Sequence, residues 1–211
     1  MENYYKQVHA KKIIVLHDTN GGHNPFHVAQ WWMKQNKKIG TAYIIGGQGN
    51  SNDGTDYDGL MFEYFLPQYW AHHIGLKGET NYNITKASIG IELCAYGPIV
   101  KFDDTYLNTY KQKVPGTQVI PCKFRGFDYY EAYTDKQLET TKELLIELAN
   151  EFNIDIRAGL QSLLKKGANA FEYQTSAVAG RPGLWTHTNY RKSDKWDCSP
   201  QPNLIEMILS L

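Results

Sequence analysis

The stretch "KKIIVLHD", residues 11–18, constrains this chain more than any other. Four consecutive aliphatic residues end at a polar cluster that runs into "NGG", the pattern of a buried strand opening into a loop. His17 then falls at the carboxyl end of that strand. "NPFHVAQWWMKQNKK" follows, with Asn24 as N-cap and Pro25 at the first helical position, and predicts a helix over about 25–37. "GTAYIIGG" and "DGLMFEYFL" read as two further strands joined by a Gly/Asn/Asp-rich turn, and "SIGIELCAY", residues 88–96, as a fourth. "YTDKQLETTKELLIELANEF" has Thr134 or Asp135 as cap and Leu138, Leu144, Leu145, Leu148 and Phe152 at near-helical spacing, so it predicts the most secure helix. Residues 101–128 are irregular and aromatic, with a hairpin expected around "VPGTQV". Residues 158–184 begin with a short helical piece and continue as a Gly/Ser/Ala-rich loop. The expected fold class is α/β: a single domain over residues 1–211, with a central mixed β-sheet flanked by helices on both faces.

Composition narrows the function. Lys+Arg and Asp+Glu each number 22, so no net charge draws the chain to nucleic acid or to an anionic membrane. Three cysteines, Cys94, Cys122 and Cys198, form no CxxC pair and are too few for a disulfide framework. No apolar run approaches the ~18 residues of a membrane span. The N-terminus lacks a basic region followed by an apolar run, so no signal peptide is expected. These features predict a chain that is cytoplasmic when synthesised, with release to any external substrate left to another agent.

Chemistry concentrates near the C-terminus, where "LWTHTNYRKSDKWDCSPQPNL" places His187, Lys195, Asp197 and Cys198 within a dozen positions. Histidine, aspartate and cysteine all bind a borderline-soft metal. His187 ends "GLWTH" as His17 ends the first strand, and functional groups in open α/β sheets gather at carboxyl strand ends. Read alone, either histidine is as well explained as a surface or core residue.

Six pieces, in order, resemble one family. "IIVLHDT", "GTAYIIG", "DGLMFEYFLPQYWAHHIG", "SIGIEL", "YTDKQLETTKELLIEL" and the spacing from His187 to Lys195-Trp196-Asp197 are similar to the zinc-dependent N-acetylmuramoyl-L-alanine amidases of the amidase type 2 group, which also contains phage endolysins and peptidoglycan recognition proteins. The resemblance implies one Zn2+ per chain held by His17, His187 and Asp197. It implies Glu92 as general base, Lys195 as oxyanion stabiliser, Tyr43 facing the site, and His73 as a groove residue touching substrate. The implied substrate is bacterial peptidoglycan, cut between N-acetylmuramic acid and L-alanine; a monomer is expected as the default for a degradative enzyme. A phage endolysin let out by a holin is the expected setting, and a cytosolic muropeptide-recycling amidase is the alternative. Such chemistry needs these residue types, because an amide carbonyl is a poor electrophile that zinc polarises while a carboxylate moves the water's proton.

The chain departs from the family where the third ligand is followed by "CSPQP" instead of Pro-Gly, which makes Cys198 a rival to Asp197. Cys198 is otherwise read as a buried, non-ligating residue beneath the loop. Residues 158–184 are expected to be an insertion that shapes the substrate groove. His23 and His27, at i and i+4, lack the glutamate of an HExxH pair. His72 is expected to face solvent, and Trp31 and Trp32 to sit mostly in the core. The rival from another class is a non-catalytic peptidoglycan-binding module, which would lack the third zinc ligand.

Overall fold

A computed structural model describes residues 3–49 and 54–211. Part of the glycine-rich turn expected between the second and third strands lies outside those residues. The first strand, β1 (Ile13–Asp18), is buried along its whole length. Helix α1 (Pro25–Met33) starts as expected, with the Asn24 side chain accepting from the amides of Phe26 and His27, and stops four residues short of residue 37 at a Lys34 cap. Strands β2 (Tyr43–Ile45) and β3 (Met61–Glu63) are shorter than expected. A polar helix that sequence reasoning missed, α2 (Gly78–Ala87), then leads directly into β4 (Ser88–Leu93).

Residues 98–131 hold five strands where one hairpin was expected: β5 (Pro98–Phe102), β6 (Thr105–Asn108), β7 (Lys113–Val114), β8 (Val119–Phe124) and β9 (Phe127–Glu131). Helix α3 (Asp135–Phe152) opens with a reciprocal capping box between Thr134 and Gln137 and closes at Asn153 in the left-handed conformation. The remaining elements are a 3-10 turn at Gly116–Gln118 before β8, α4 (Leu160–Lys165), α5 (Thr175–Val178), β10 (Gly183–Thr186), which ends at a single turn of 3-10 helix at His187–Asn189, and α6 (Pro202–Leu209). No helix among the described residues is long and apolar enough to cross a membrane.

Two sheets result. The central one runs β10-β1-β4-β2-β3, with four parallel strands and antiparallel β3 at one edge. The second is wholly antiparallel, in the order β7-β6-β5-β9-β8. Side chains alternate between faces along a strand, and partners in parallel register share a face. One face of the central sheet therefore carries Ile14, Leu16, Tyr43, Ile45 and Ile91, which form the main core with Leu138, Leu144, Leu145 and Leu148 of α3. Each fully buried leucine there contributes ~1.5–3 kcal/mol. The other face carries Ile13 and Val15, packed with Ile84 and Trp185, and Ile44 and Cys94, packed with Trp32 of α1. His17 and Glu92 emerge on this second face.

Candidate metal centre and active site

Register brings the two histidines together. Leu16 pairs with Thr186 across β1 and β10, so His17 and His187 leave neighbouring strands side by side, their Nδ1 atoms 3.0 Å apart. A ten-residue loop then returns the chain, closed at its neck where the Thr188 amide donates to the Asp197 carbonyl at 3.0 Å. Asp197 Oδ2 lies 2.9 Å from His187 Nδ1 and 3.5 Å from His17 Nδ1. All three residues are buried, and Asp197 Oδ1 has no partner. Cys198 points elsewhere, into the main core beside Tyr133 and Asp18.

The outer partners fix where the protons are. Ser88 Oγ donates to the Thr85 carbonyl at 3.2 Å, so it accepts from His73 Nε2 at 2.8 Å. His73 Nδ1 is then an acceptor for His17 Nε2–H at 2.9 Å. His187 Nε2 faces the Ile74 carbonyl at 2.9 Å and must donate to it. Both Nδ1 lone pairs therefore point at the Asp197 carboxylate with no proton left to share. Three acceptors converging in a buried space call for a cation. Two imidazole nitrogens and a carboxylate oxygen suit zinc, whose tetrahedral ligand shell has edges of about 3.3 Å. Charge agrees with this reading. Burial and the neighbouring His187 lower His17 to about 4, so it is neutral. Burial alone would raise Asp197, but positive charge on the two imidazoles outweighs it and holds the carboxyl below its usual range; with neutral imidazoles a bound cation would do the same.

Adjacent residues 73 and 74 thus orient both histidines from behind. His73 lies against β4, where Gly90 leaves the room: a Cβ there would stand 3.1 Å from His73 Nδ1 and 2.7 Å from Thr41 Cγ2. His73 supports His17 from behind, and burial together with His17 pushes the His73 pKa well down, keeping it a neutral acceptor.

Glu92 stands directly across β1 and β4 from His17. Burial, with the carboxylates of Asp197 and Asp18, raises its pKa well above the ordinary value, and the Lys195 charge opposes that rise. Lys195, half-buried on the returning loop, acts electrostatically on both Glu92 and His17. Tyr43 is not part of this group. It pairs with Ile91, on the α3 face, and its hydroxyl donates to Glu63 Oε2 at 3.2 Å, while Ile44 is the β2 residue beside Glu92.

A cleft of about 540 Å³ opens beside Glu92 between α1 and the β6–β7 connection, lined by Asn24, Trp31, Tyr96, Tyr110 and Gln112 among others. Trp32 is core as expected, but Trp31 is 56% exposed on the rim. Residues 158–184 do not line this cleft. They pack beneath the 3-10 turn instead, where Asn189 Nδ2 donates to the carbonyls of Ala170 and Glu172. His23 is bound to Glu131 at 2.8 Å, leaving His27 exposed and unpaired with it. His72 is half-buried, set against the rings of Trp70, Tyr82 and Tyr5. Asp18, which accepts from the Tyr133 hydroxyl at 2.7 Å, and Arg125 were not foreseen. The dipeptide "HD" that closes β1 was the available signal for Asp18.

The family model for N-acetylmuramoyl-L-alanine amidase, Amidase_2, matches residues 7–202. The chain belongs to that family. Among solved structures it is similar to a mutant form of PlyL, with a TM-score of 0.51 at 12% identity, covering 99% of this chain and 91% of that one. It is also similar to the endolysin N-acetylmuramoyl-L-alanine amidase LysCS from Clostridium intestinale URNW, with a TM-score of 0.50 at 14% identity, covering 98% and 88%. At these identities the likeness concerns the fold. No curated protein matches the chain.

Proposed function

We propose that this amidase hydrolyses the bond between N-acetylmuramic acid and L-alanine of peptidoglycan, with one zinc ion held by His17, His187 and Asp197. The observation that carries the reading is the convergence of three proton-free acceptors beside Glu92. Bound there, zinc would polarise the scissile carbonyl and bring the pKa of a water towards ~7. Glu92, whose raised pKa suits a group that both takes and returns a proton, would accept the water's proton and deliver it to the leaving amine of L-alanine. Lys195 would hold the oxyanion, a role in which losing one donor costs ~10²-fold or more. The scissile group enters from the cleft, where Trp31 and Tyr110 offer exposed rings to a sugar or peptide face.

The non-catalytic binding module is the weaker reading, because a receptor has no need of a third acceptor aimed at two histidines. We favour a phage endolysin, made in the cytoplasm and let out by a holin, over a recycling enzyme; the family and the fold shared with LysCS support that choice. The deciding experiment measures zinc per chain and the release of stem peptides with free L-alanine amino ends from purified sacculi. One zinc per chain and steady release are expected, with Glu92→Gln keeping zinc and losing about 10²–10⁴-fold in kcat. Preference for soluble muropeptides over sacculi would favour recycling. Binding to sacculi without zinc and without release would replace the enzyme by a receptor.

A further inference from the structure

Between β8 and β9 the chain turns in two residues, Arg125 and Gly126, both at positive φ, 47° and 87°. Such tight hairpins favour Asn-Gly, and a long side chain with a Cβ is disfavoured at the first position. What the arginine does there is shown by its partners. Its side chain is 5% exposed, and the guanidinium donates to the carbonyls of Thr188 at 3.0 Å, Arg191 at 2.9 Å and Lys195 at 2.5 Å. Glu172 Oε2 accepts from its Nη2 and Nε at 3.1 and 3.3 Å and fixes the fork from the other side.

All three carbonyls belong to the loop that runs from His187 to Asp197. This loop has no strand or helix beyond its first turn, and its own ion pair, Arg191 with Asp194, is solvent-facing and therefore weak. Thr188 and Lys195 lie at opposite ends of it. One guanidinium thus ties the residue after the second histidine to the residue two before Asp197. A planar five-donor fork can reach acceptors spread this way, whereas an ammonium at a single point cannot.

We propose that Arg125 is a positioning residue, through which the second sheet sets Lys195 and Asp197 against Glu92 and His17. The proposal rests on the zinc-amidase reading above and assigns a role to the β8–β9 turn, which lies outside the cleft lining.

Arg125→Gly removes the guanidinium while relieving the positive φ of the turn, and Arg125→Lys keeps the charge and stem but not the fork. Both are compared with wild type as zinc-loaded protein by three readouts: zinc affinity against a chelating dye, kcat and KM on sacculi, and tryptic cleavage after Arg191, Lys192 and Lys195. Arg125→Gly is expected to weaken zinc binding about 10–100-fold, the usual effect of losing an outer-shell partner. It should lower kcat with KM changed no more than a few-fold, since the cleft is untouched, and should speed tryptic cleavage in the loop about tenfold or more. Arg125→Lys should move in the same direction. Millimolar ethylguanidinium should restore zinc affinity to Arg125→Gly and leave wild type unchanged.

The proposal is overturned if both variants lose only melting temperature while keeping wild-type zinc affinity and kcat. It is overturned equally if cleavage accelerates but zinc affinity and kcat stay put, which would make the clamp a mere tether. A wild-type chain that binds no zinc removes the underlying reading, and that failure is visible before any variant is compared.

Discussion

Replacing Asp197 with alanine should open the metal centre on one side, and the structure lets the cost be worked out. Asp197 Oδ2 is one of three atoms in a triangle with edges of 3.0, 2.9 and 3.5 Å, so its loss removes one of three protein donors. Apparent binding energies of ~10–16 kcal/mol for four-ligand structural zinc sites give ~2.5–4 kcal/mol per ligand. That corresponds to zinc binding weakened about 10²–10³-fold. Cys198→Ala makes the contrast. Its sulfur is fully buried in the main core, not aimed at the histidines, so the variant should lose about 1–2 kcal/mol of stability and keep its zinc affinity. The assay is competition with a chelating dye at neutral pH, run beside circular dichroism to confirm that each variant folds. If Cys198→Ala lost the metal while Asp197→Ala kept it, the ligand assignment and the proton argument behind it would both be wrong.

His73→Phe removes the acceptor behind His17 and should weaken zinc binding about 10–100-fold, read in the same competition assay; an unchanged affinity would show that His17 needs no outer partner. Tyr43→Phe deletes one hydrogen bond to Glu63, so about 1 kcal/mol of stability should go while kcat stays within about twofold; a large fall in kcat would return Tyr43 to the reaction. Because burial raises the Glu92 pKa and a general base must be ionised, kcat/KM should fall on acidification at a pH above the ordinary carboxylate range, and that limb should vanish in the residual activity of Glu92→Gln. Lys11 donates to the carbonyls of Tyr69, Lys86 and Ser88 with no carboxylate among these acceptors, and burial lowers its pKa to about 7. The unfolded chain then holds that proton more tightly than the folded one. Stability should therefore rise with pH from about 7 towards the ordinary value of 10.5, a slope that urea titrations of Lys11→Met should lack.

The central sheet and α3 were legible because their signals are local. An unbroken aliphatic run marks β1, and a cap followed by spaced leucines marks α3. The second sheet was not legible. Its strands are two to six residues long and its sharpest turn signal is disguised, since Arg125 stands where Asn or Gly would announce a hairpin between "VIPCKF" and "FDYYE". Helix α2 lacks a capping side chain and buries only Asn81, Ile84 and Thr85, leaving too little apolar periodicity to detect. For α6 a signal was present: Pro202 at the first position, with Leu204, Met207 and Ile208 on one side.

The site shows the same division more sharply. His17, Glu92 and His187 lie at strand ends or next to one, where position along the chain nearly determines position in space, whereas Asp197 sits on the returning loop eleven residues beyond β10. Tyr43 and His73 depend instead on parity and on a partner. Because Tyr43 pairs with Ile91 and Ile44 with Glu92, a shift of one residue along β2 decides which side chain looks into the site, and no feature of "TAYIIG" reveals that register. His73 lies on a segment outside any strand, so its direction is set by the gap that Gly90 leaves on β4 and by the Ser88 hydroxyl that accepts its proton. The same hydrogen-bond chain that holds His73 against Ser88 turns the His17 lone pair towards Asp197. The residue least readable from sequence is thus the one that aims the most readable histidine at Asp197.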